Sequence, residues 1–406
     1  MIVIKIIFWL CLALVFYTYI GYGIVLAILV GLKRAFGKKR LKQPLPSDID
    51  LPEVTLMICA YNEEDIVASK MENTHRLNYP KGKLKVMWVT DGSNDSTNER
   101  LAAYEDVTVV YKPEREGKTA ALNHGIKSVE TPLVIMTDAN TMLNADCVRE
   151  VVRCFMDPKV ACVAGEKRVM ARSEGETVAE GAKKDNGQAV AAGEGLYWKY
   201  ESTLKLLDSE LYSAMGAAGE LCAIRTPLYR KMPKDTLLDD FIMSMLLVDE
   251  GNRIAYTAEA YAMEYGSADF TEESKRKRRI AAGGLQSTWR LRRMLNPFRQ
   301  PVVAFQLLSH RVLRWTITPF ALLALVPQNI IIVALGGCMI YTVILALQAL
   351  FWLAALAGWL MARSGKKNKL LYIPYYFVFM NVNVFRGMAY LRSHKSNGAW
   401  EKAKRG

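Results

Sequence analysis

A strongly apolar run at residues 2–32, interrupted only by Lys5, constrains this chain more than any other feature. A bilayer core is crossed by about 20 consecutive apolar residues in helical form, so the run is long enough to span it with some tilt. A secretory signal would place its charge ahead of a shorter apolar stretch, with a small-residue cleavage site behind it. Here the basic residues follow instead, at Lys33, Arg34, Lys38, Lys39 and Arg40. Because Lys and Arg accumulate on the cytoplasmic side of membrane spans, the N-terminus is expected outside and everything from Lys33 onward in the cytosol.

Three further apolar segments occupy 312–334, 338–362 and 370–391. The first contains Pro319 and Pro327, and the last contains Pro374, Asn381, Asn383 and Arg386. Polar groups at membrane depth face other protein rather than lipid. Three full crossings would leave the basic tail (Lys395, Lys402, Lys404, Arg405) outside, against the charge rule, unless the last segment is re-entrant. The formal charge of +13 calls for an anionic partner. Its clusters flank apolar stretches, as at Lys366, Lys367 and Lys369, which points to membrane lipids. No aromatic–basic interleaving of the kind that binds single strands is present, so a nucleic-acid partner is excluded. Seven cysteines without a CxxC pair read as reduced thiols, the spacing of Cys147, Cys154 and Cys162 suiting no disulfide framework. His75, His124, His310 and His394 lie too far apart to suggest a histidine metal site.

Between the apolar ends the chain reads as an α/β domain. Continuous apolar strands are expected at 54–61, 85–91, 108–112 and 132–138, separated by helical stretches, the first over roughly 63–76. Apolar strands interleaved with helices indicate a mostly parallel sheet covered on both faces. Residues 166–193, rich in Gly, Ala and charge, read as a mobile loop, followed by an amphipathic helix. The resulting organisation is an N-terminal transmembrane helix (1–32), a basic juxtamembrane linker (33–52) and an α/β domain (53–285). An interfacial amphipathic segment (286–311) follows, with Trp289, Arg290, Arg292 and Arg293 meeting lipid phosphates, then C-terminal membrane helices (312–392) and a basic tail (393–406).

Open parallel sheets place ligand sites at strand ends. The first strand ends in Tyr61, Asn62, Glu63 and Glu64, the second in Asp91–Asp95, the fourth in Asp138, Ala139 and Asn140. Carboxylates there can accept hydrogen bonds from a nucleoside or hold a divalent cation against a diphosphate. Asp95, followed by Ser96 and Thr97, also reads as a helix N-cap. Lys118 follows a glycine at a helix start but lacks the P-loop spacing. It is either a phosphate-neutralising cation or a solvated helix start. Asp239 and Asp240, opening an amphipathic helix, would favour its dipole whether or not they do chemistry.

AYNEE, VTDGSNDST, EGKTAALNHGI and MTDAN, taken with GAAGELCAIR (216–225) and LLDDF (237–241), occur in the order and spacing of glycosyltransferase family 2, which this chain resembles from about residue 53 to 290. The C-terminal apolar segments are similar to those of membrane-bound polysaccharide synthases of the poly-N-acetylglucosamine synthase type. The resemblance implies a GT-A fold (Rossmann-like), a nucleotide-sugar donor, usually UDP-linked, a divalent cation (Mg2+ or Mn2+) and inversion at the anomeric carbon. Carried over by position, it implies Tyr61, Glu63 and Asp91 at the nucleoside, Lys118 near the donor, and Asp138 and Asn140 at the metal. Asp240 then stands as catalytic base beside Asp239, with Gly219 and Glu220 on the acceptor side. Asn140 replaces the second carboxylate of the family's DxD. The processive QxxRW motif is also altered: Arg276 stands for Gln, Arg279 is kept as a diphosphate-binding group, and Ile280 stands for Trp.

The leading expectation is an inverting, membrane-bound glycosyltransferase extending a polysaccharide. Loss of the aromatic platform leaves open single transfer to a lipid-linked acceptor. A silent nucleotide-sugar sensor is a third alternative, though such proteins lose the base and metal carboxylates, and both are present here. Partners follow from these readings: a nucleotide-sugar donor, a carbohydrate or lipid-linked acceptor, membrane lipids and, where the class uses one, an accessory membrane subunit.

Overall fold

The computed structural model describes residues 1–37, 43–170, 184–267, 270–364 and 368–393. Lys38, Lys39, Arg40, Lys366, Lys367, the tail from residue 394 and residues 171–183 of the Gly/Ala-rich stretch lie outside the described residues.

The four expected strands form: Val54–Ala60 (β1), Leu84–Asp91 (β2), Val107–Lys112 (β3) and Leu133–Asp138 (β4). They pair in parallel in the order β3-β2-β1-β4. Successive side chains of a strand point to opposite faces, so β1 sends Met57 into one apolar layer and Leu56 and Ile58 into the other. Both layers are filled, which is why the strand is apolar without a break. The first helix begins later than expected, at Val67–His75, because Tyr61–Ile66 form a turn at the strand end.

Four strands were not anticipated: Met142–Leu143 (β5), Val160–Met170 (β6), Cys222–Arg225 (β7) and Arg253–Tyr265 (β8). They extend the sheet to β3-β2-β1-β4-β7-β6-β8-β5. β7 runs antiparallel to both β4 and β6, whereas β6 and β8 are parallel. The loop expected at 166–193 is therefore not one segment. Its first residues finish β6, and Lys184 opens a helix that runs to Leu211. Tertiary packing outweighs the glycines there, since Leu204 is buried against Tyr22, Leu26 and Val30 of the N-terminal helix.

Three helices among the described residues are long and apolar enough to cross a membrane: Ile2–Phe36, Ile317–Ala334 and Met339–Arg363. The last apolar segment forms a helix, Lys369–Ser393, that is not apolar enough to join them, so two rather than three C-terminal helices qualify. The N-terminal helix passes residue 32 and carries Lys33 and Arg34, which bond the Glu210 and Leu211 carbonyls and the Glu210 carboxylate. Tyr17 meets Ser309 at 2.7 Å, Thr18 meets Thr318 at 3.0 Å, and Tyr19 donates to Asn381 at 2.7 Å. Asn383 accepts from Ser274 at 2.8 Å. Asn381 and Asn383 thus face protein, as expected, whereas Arg386 is exposed.

The helix Phe270–Arg290 carries the basic cluster and connects the sheet to the membrane helices. It sits unusually close to both neighbours through Gly283 and Gly284. A Cβ on Gly283 would lie 2.5 Å from Leu238, and one on Gly284 would lie 2.4 Å from Trp315. Its end departs from the interfacial reading, because Arg290 turns inward to Asp235 (2.7 Å) while Trp289 stays exposed. Overpacking a tight contact costs about 1–3 kcal/mol. Gly284→Val is expected to lower the thermal midpoint in detergent by several degrees, with Gly336→Val, where a Cβ meets open space at a positive φ, as the strain-only control.

Candidate active site

The ends of β1, β2 and β4 open onto one cavity of about 250 Å3. Tyr61, Glu63, Asp91, Lys118, Asp138, Asn140, Asp239 and Arg279, all expected from sequence, line it. Local hydrogen bonds hold these strand ends together. The Ser93 hydroxyl accepts the Asn62 N–H (3.1 Å), and the Thr97 hydroxyl accepts the Glu63 N–H (2.9 Å). Asp95 accepts from the Thr97 and Glu64 amides, both at 3.1 Å, so it ties this turn to the Glu64 turn, while the N-cap position of the helix Thr97–Leu101 falls to Ser96 rather than to Asp95 as expected. Asn62 itself adopts a left-handed φ of 52°, and its side chain bonds Asn94 at 2.8 Å.

Asp91 does two things at this rim. It lines the cavity, yet both carboxylate oxygens are engaged by backbone N–H groups, of Glu116 at 3.0 Å and Gly117 at 2.6 Å. The carboxylate therefore anchors the start of the helix Lys118–Gly125 and so aims Lys118. Gly92, at φ 68°, permits this closeness, since a Cβ would stand 2.6 Å from the Arg115 amide nitrogen.

Lys118 reaches across to Asp138 at 2.5 Å. Burial works against its charge, but the Asp138 and Asp239 carboxylates outweigh that and hold its ammonium well above the usual lysine range. Asp239 and Asp240 open the helix Asp239–Asp249, where the free amides favour negative charge. Asp239 lines the cavity, whereas Asp240 lies just behind it. A Cβ on Gly219 would come 3.0 Å from the Lys118 Nζ and 3.5 Å from an Asp240 carboxylate oxygen, so the three groups meet at one point. Burial, then the Asp239 charge, push Asp240 up to about 7, with Lys118 opposing. Glu220 sits otherwise than its neighbour Gly219. It accepts from the buried Lys167 at 2.7 Å, and Lys167 also meets buried Glu264. Burial alone would raise the Glu220 carboxyl, but Lys167 holds it well below the usual carboxylate range.

Sequence reasoning assigned no donor role to Arg115, Lys275 or Arg278, which also line the cavity. The Arg115 guanidinium stacks 3.8 Å from the Tyr61 ring centroid. Lys275 and Arg278 belonged to a basic cluster that sequence alone could only divide between lipid and diphosphate. Arg276 and Arg279 join them on the cavity wall, while Ile280 faces a separate apolar chamber with Tyr376.

Asp138 and Asn140 offer two oxygen donors at the end of β4. Among the described residues no cluster of three or more His, Cys, Asp or Glu side chains is placed to hold a metal ion. Mg2+ and Mn2+ commonly take one or two carboxylates and complete their shell with substrate phosphates and water, so this donor set fits such an ion together with a diphosphate.

Residues 52–283 match the family described as glycosyltransferase like family 2, and the chain belongs to it. It is a glycosyltransferase with a GT-A fold. A mannosyltransferase from Pyrobaculum calidifontis, solved in complex with GDP-Man and Mn2+, shares the fold over 97% of this chain and 100% of its own, with a TM-score of 0.72 at 20% identity. Poly-beta-1,6-N-acetyl-D-glucosamine synthase of Staphylococcus aureus (strain MSSA476) is 31% identical over 136 residues, 32% of this chain and 32% of that protein. Beta-monoglucosyldiacylglycerol synthase of Trichormus variabilis is 30% identical over 125 residues, 29% of this chain and 27% of that protein. The matched region thus spans about a third or less of these relatives' lengths.

If Asp91 anchors the Lys118 helix, Asp91→Asn turns an amide donor toward a backbone N–H. An unsatisfied buried donor costs about 1–3 kcal/mol. The substitution is expected to lower the thermal midpoint even without nucleotide.

Proposed function

We propose that this chain is an inverting glycosyltransferase that moves a sugar from a nucleoside-diphosphate sugar, UDP-linked, to a hydroxyl of a carbohydrate acceptor at the cytosolic membrane face. The observation that carries this reading is the convergence of the strand-end residues, Lys118 and Asp239 on one cavity, with Asp240 meeting Lys118 beside Gly219 just behind it. In this reading Tyr61, Glu63 and Asp91 border the nucleoside, and Arg115 extends the Tyr61 surface. Lys118 and Arg279 neutralise the diphosphate. Asp138 and Asn140 hold Mg2+ or Mn2+, which when bound withdraws charge from the leaving diphosphate.

The acceptor enters beside Gly219. Asp240 takes the proton of the attacking hydroxyl as its oxygen bonds the anomeric carbon, while the bond to the diphosphate breaks on the opposite face. A carboxyl pushed up to about 7 is a better base than an ordinary one and still ionised enough to act. Asp239 keeps Asp240 basic, and Lys118 limits that effect.

Two C-terminal crossings, by Ile317–Ala334 and Met339–Arg363, return the chain to the catalytic side. Arg363 and Lys369, at the ends that face each other across this return, then lie on the cytosolic side, consistent with the charge rule. Extension of a polysaccharide is one outcome of this chemistry. Ile280 in place of an aromatic platform favours the other, addition of a single sugar to a lipid-linked acceptor, and product length on a defined acceptor separates them.

Removing the base is expected to cost about 10²–10⁴ in turnover. Purified protein assayed with a panel of UDP-sugars and Mn2+ should release UDP from one donor, and Asp240→Asn should abolish this with nucleotide binding intact. Retained turnover in that variant refutes the assignment of the base. The base acts only when ionised, so kcat/KM should rise with pH through about 7 and fall away below it. Asp239→Asn removes the neighbouring negative charge and should move this limb to lower pH. A limb that stays in place assigns the titration to another group.

A further inference from the structure

The helix Phe270–Arg290 also forms one wall of a second space, a groove of about 730 Å3 between it and the helices Met339–Arg363 and Lys369–Ser393. The two ends of this groove differ in chemistry. One is walled by Trp352, Leu356, Trp359 and Val382, from a helix long and apolar enough to cross a membrane and its neighbour. The other gathers Lys275, Arg278 and Arg386, and among the described residues no carboxylate lines the groove. Arg386 is oriented by Ser274 at 2.9 Å, which in turn donates to Asn383 at 2.8 Å. Arg278 lies 5.4 Å from the Tyr390 ring centroid, and its Nε is buried with no hydrogen-bond partner among the described residues. Lys275 meets Glu272 at 3.0 Å.

Lys275 and Arg278 line the catalytic cavity as well. The charged end of the groove therefore borders the place where the sugar is transferred, while the apolar end lies against membrane helices. From this juxtaposition we infer that the groove binds the acceptor, a membrane lipid that carries its sugar through a phosphate. This rests on the transferase reading and names its acceptor class. The hydrocarbon chain lies along Trp352, Leu356 and Val382. The phosphate meets the guanidinium and ammonium groups, which suit its oxygens in charge and hydrogen-bonding capacity. The sugar beyond the phosphate projects into the cavity. One of its hydroxyls attacks the anomeric carbon, its proton passes to Asp240, and the electron pair of the broken bond leaves with the nucleoside diphosphate. The lipid phosphate keeps its own bonds throughout.

Binding is tested on the full chain in detergent with radiolabelled farnesyl phosphate, competed by farnesol, which lacks the charge, and by inorganic phosphate, which lacks the chain. Only farnesyl phosphate should compete effectively. Arg386→Ala, remote from the donor cavity, should weaken binding at least about tenfold, with recovery in Arg386→Lys, since a charge-assisted hydrogen bond is removed and then partly restored. Leu356→Trp, which fills the apolar end, should weaken it independently. UDP binding and donor hydrolysis should match wild type in all three variants. Equal competition by farnesol, or by inorganic phosphate alone, overturns the inference, as does wild-type binding by Arg386→Ala. Farnesyl phosphate binding without sugar transfer from any donor to a prenyl-phosphate saccharide overturns the acceptor role. Donor hydrolysis distinguishes the two failures, because its absence in wild type refutes the transferase reading itself.

Discussion

Two buried carboxylates hold the catalytic sheet to its membrane helices. Asp208 and Glu201 lie inside the helix Lys184–Leu211 with almost no exposure, where unpaired charges would be strongly destabilising. Asp208 accepts from the Tyr22 hydroxyl, from Gln306 at 2.9 Å and from His310 at 2.5 Å. Glu201 meets His310 at 3.1 Å, Arg311 at 2.6 Å and Arg314 at 3.1 Å. Burial alone would raise the Glu201 carboxyl, yet the Arg311 guanidinium, with its other partners, holds it well below the usual range. The network joins the N-terminal helix, the long helix behind the sheet and the segment leading to Ile317. These contacts form together only in one relative placement of the three, so the cluster sets orientation as much as stability.

That fixed orientation gives the helix Phe270–Arg290 its role. One face closes the donor cavity with Arg276 and Arg279, and another forms a wall of the groove between the membrane helices. The site is then completed from two sources. The sheet supplies residues at strand ends, carried by rigid backbone, and the basic helix supplies charge from outside the sheet.

The parts legible in the sequence follow from this division. Strands β1, β2 and β4 are continuous apolar runs ending abruptly in polar clusters, so both the strands and Tyr61, Asp91 and Asp138 stood out. Asp239 and Asp240 were marked by adjacency at a helix start. The antiparallel β7 is four residues long and has no periodic signal of its own. β8 does alternate, as RIAYTAEAYAMEY, but its partner β6 ends within the Gly/Ala-rich stretch that suggests a loop. Arg115 escaped notice because nothing local distinguishes it, its importance arising only where it meets Tyr61 across a turn. Glu220 shows the converse: its place in a motif marked it, while its partner Lys167, and the Glu264 that shares that lysine, come from distant strands.

Gly283 and Gly284 seat the basic helix through bare backbone, with no side chain interposed between it and Leu238 or Trp315. Leu238 immediately precedes the paired aspartates, so the spacing between acidic and basic elements is set by direct packing of bare helix backbone against the Leu238 side chain. Side chains around the cavity can then vary in size without altering that spacing. A scaffold of this kind separates the dimension that governs reactivity from the dimensions that govern which sugar fits, and lets the second drift while the first stays constant.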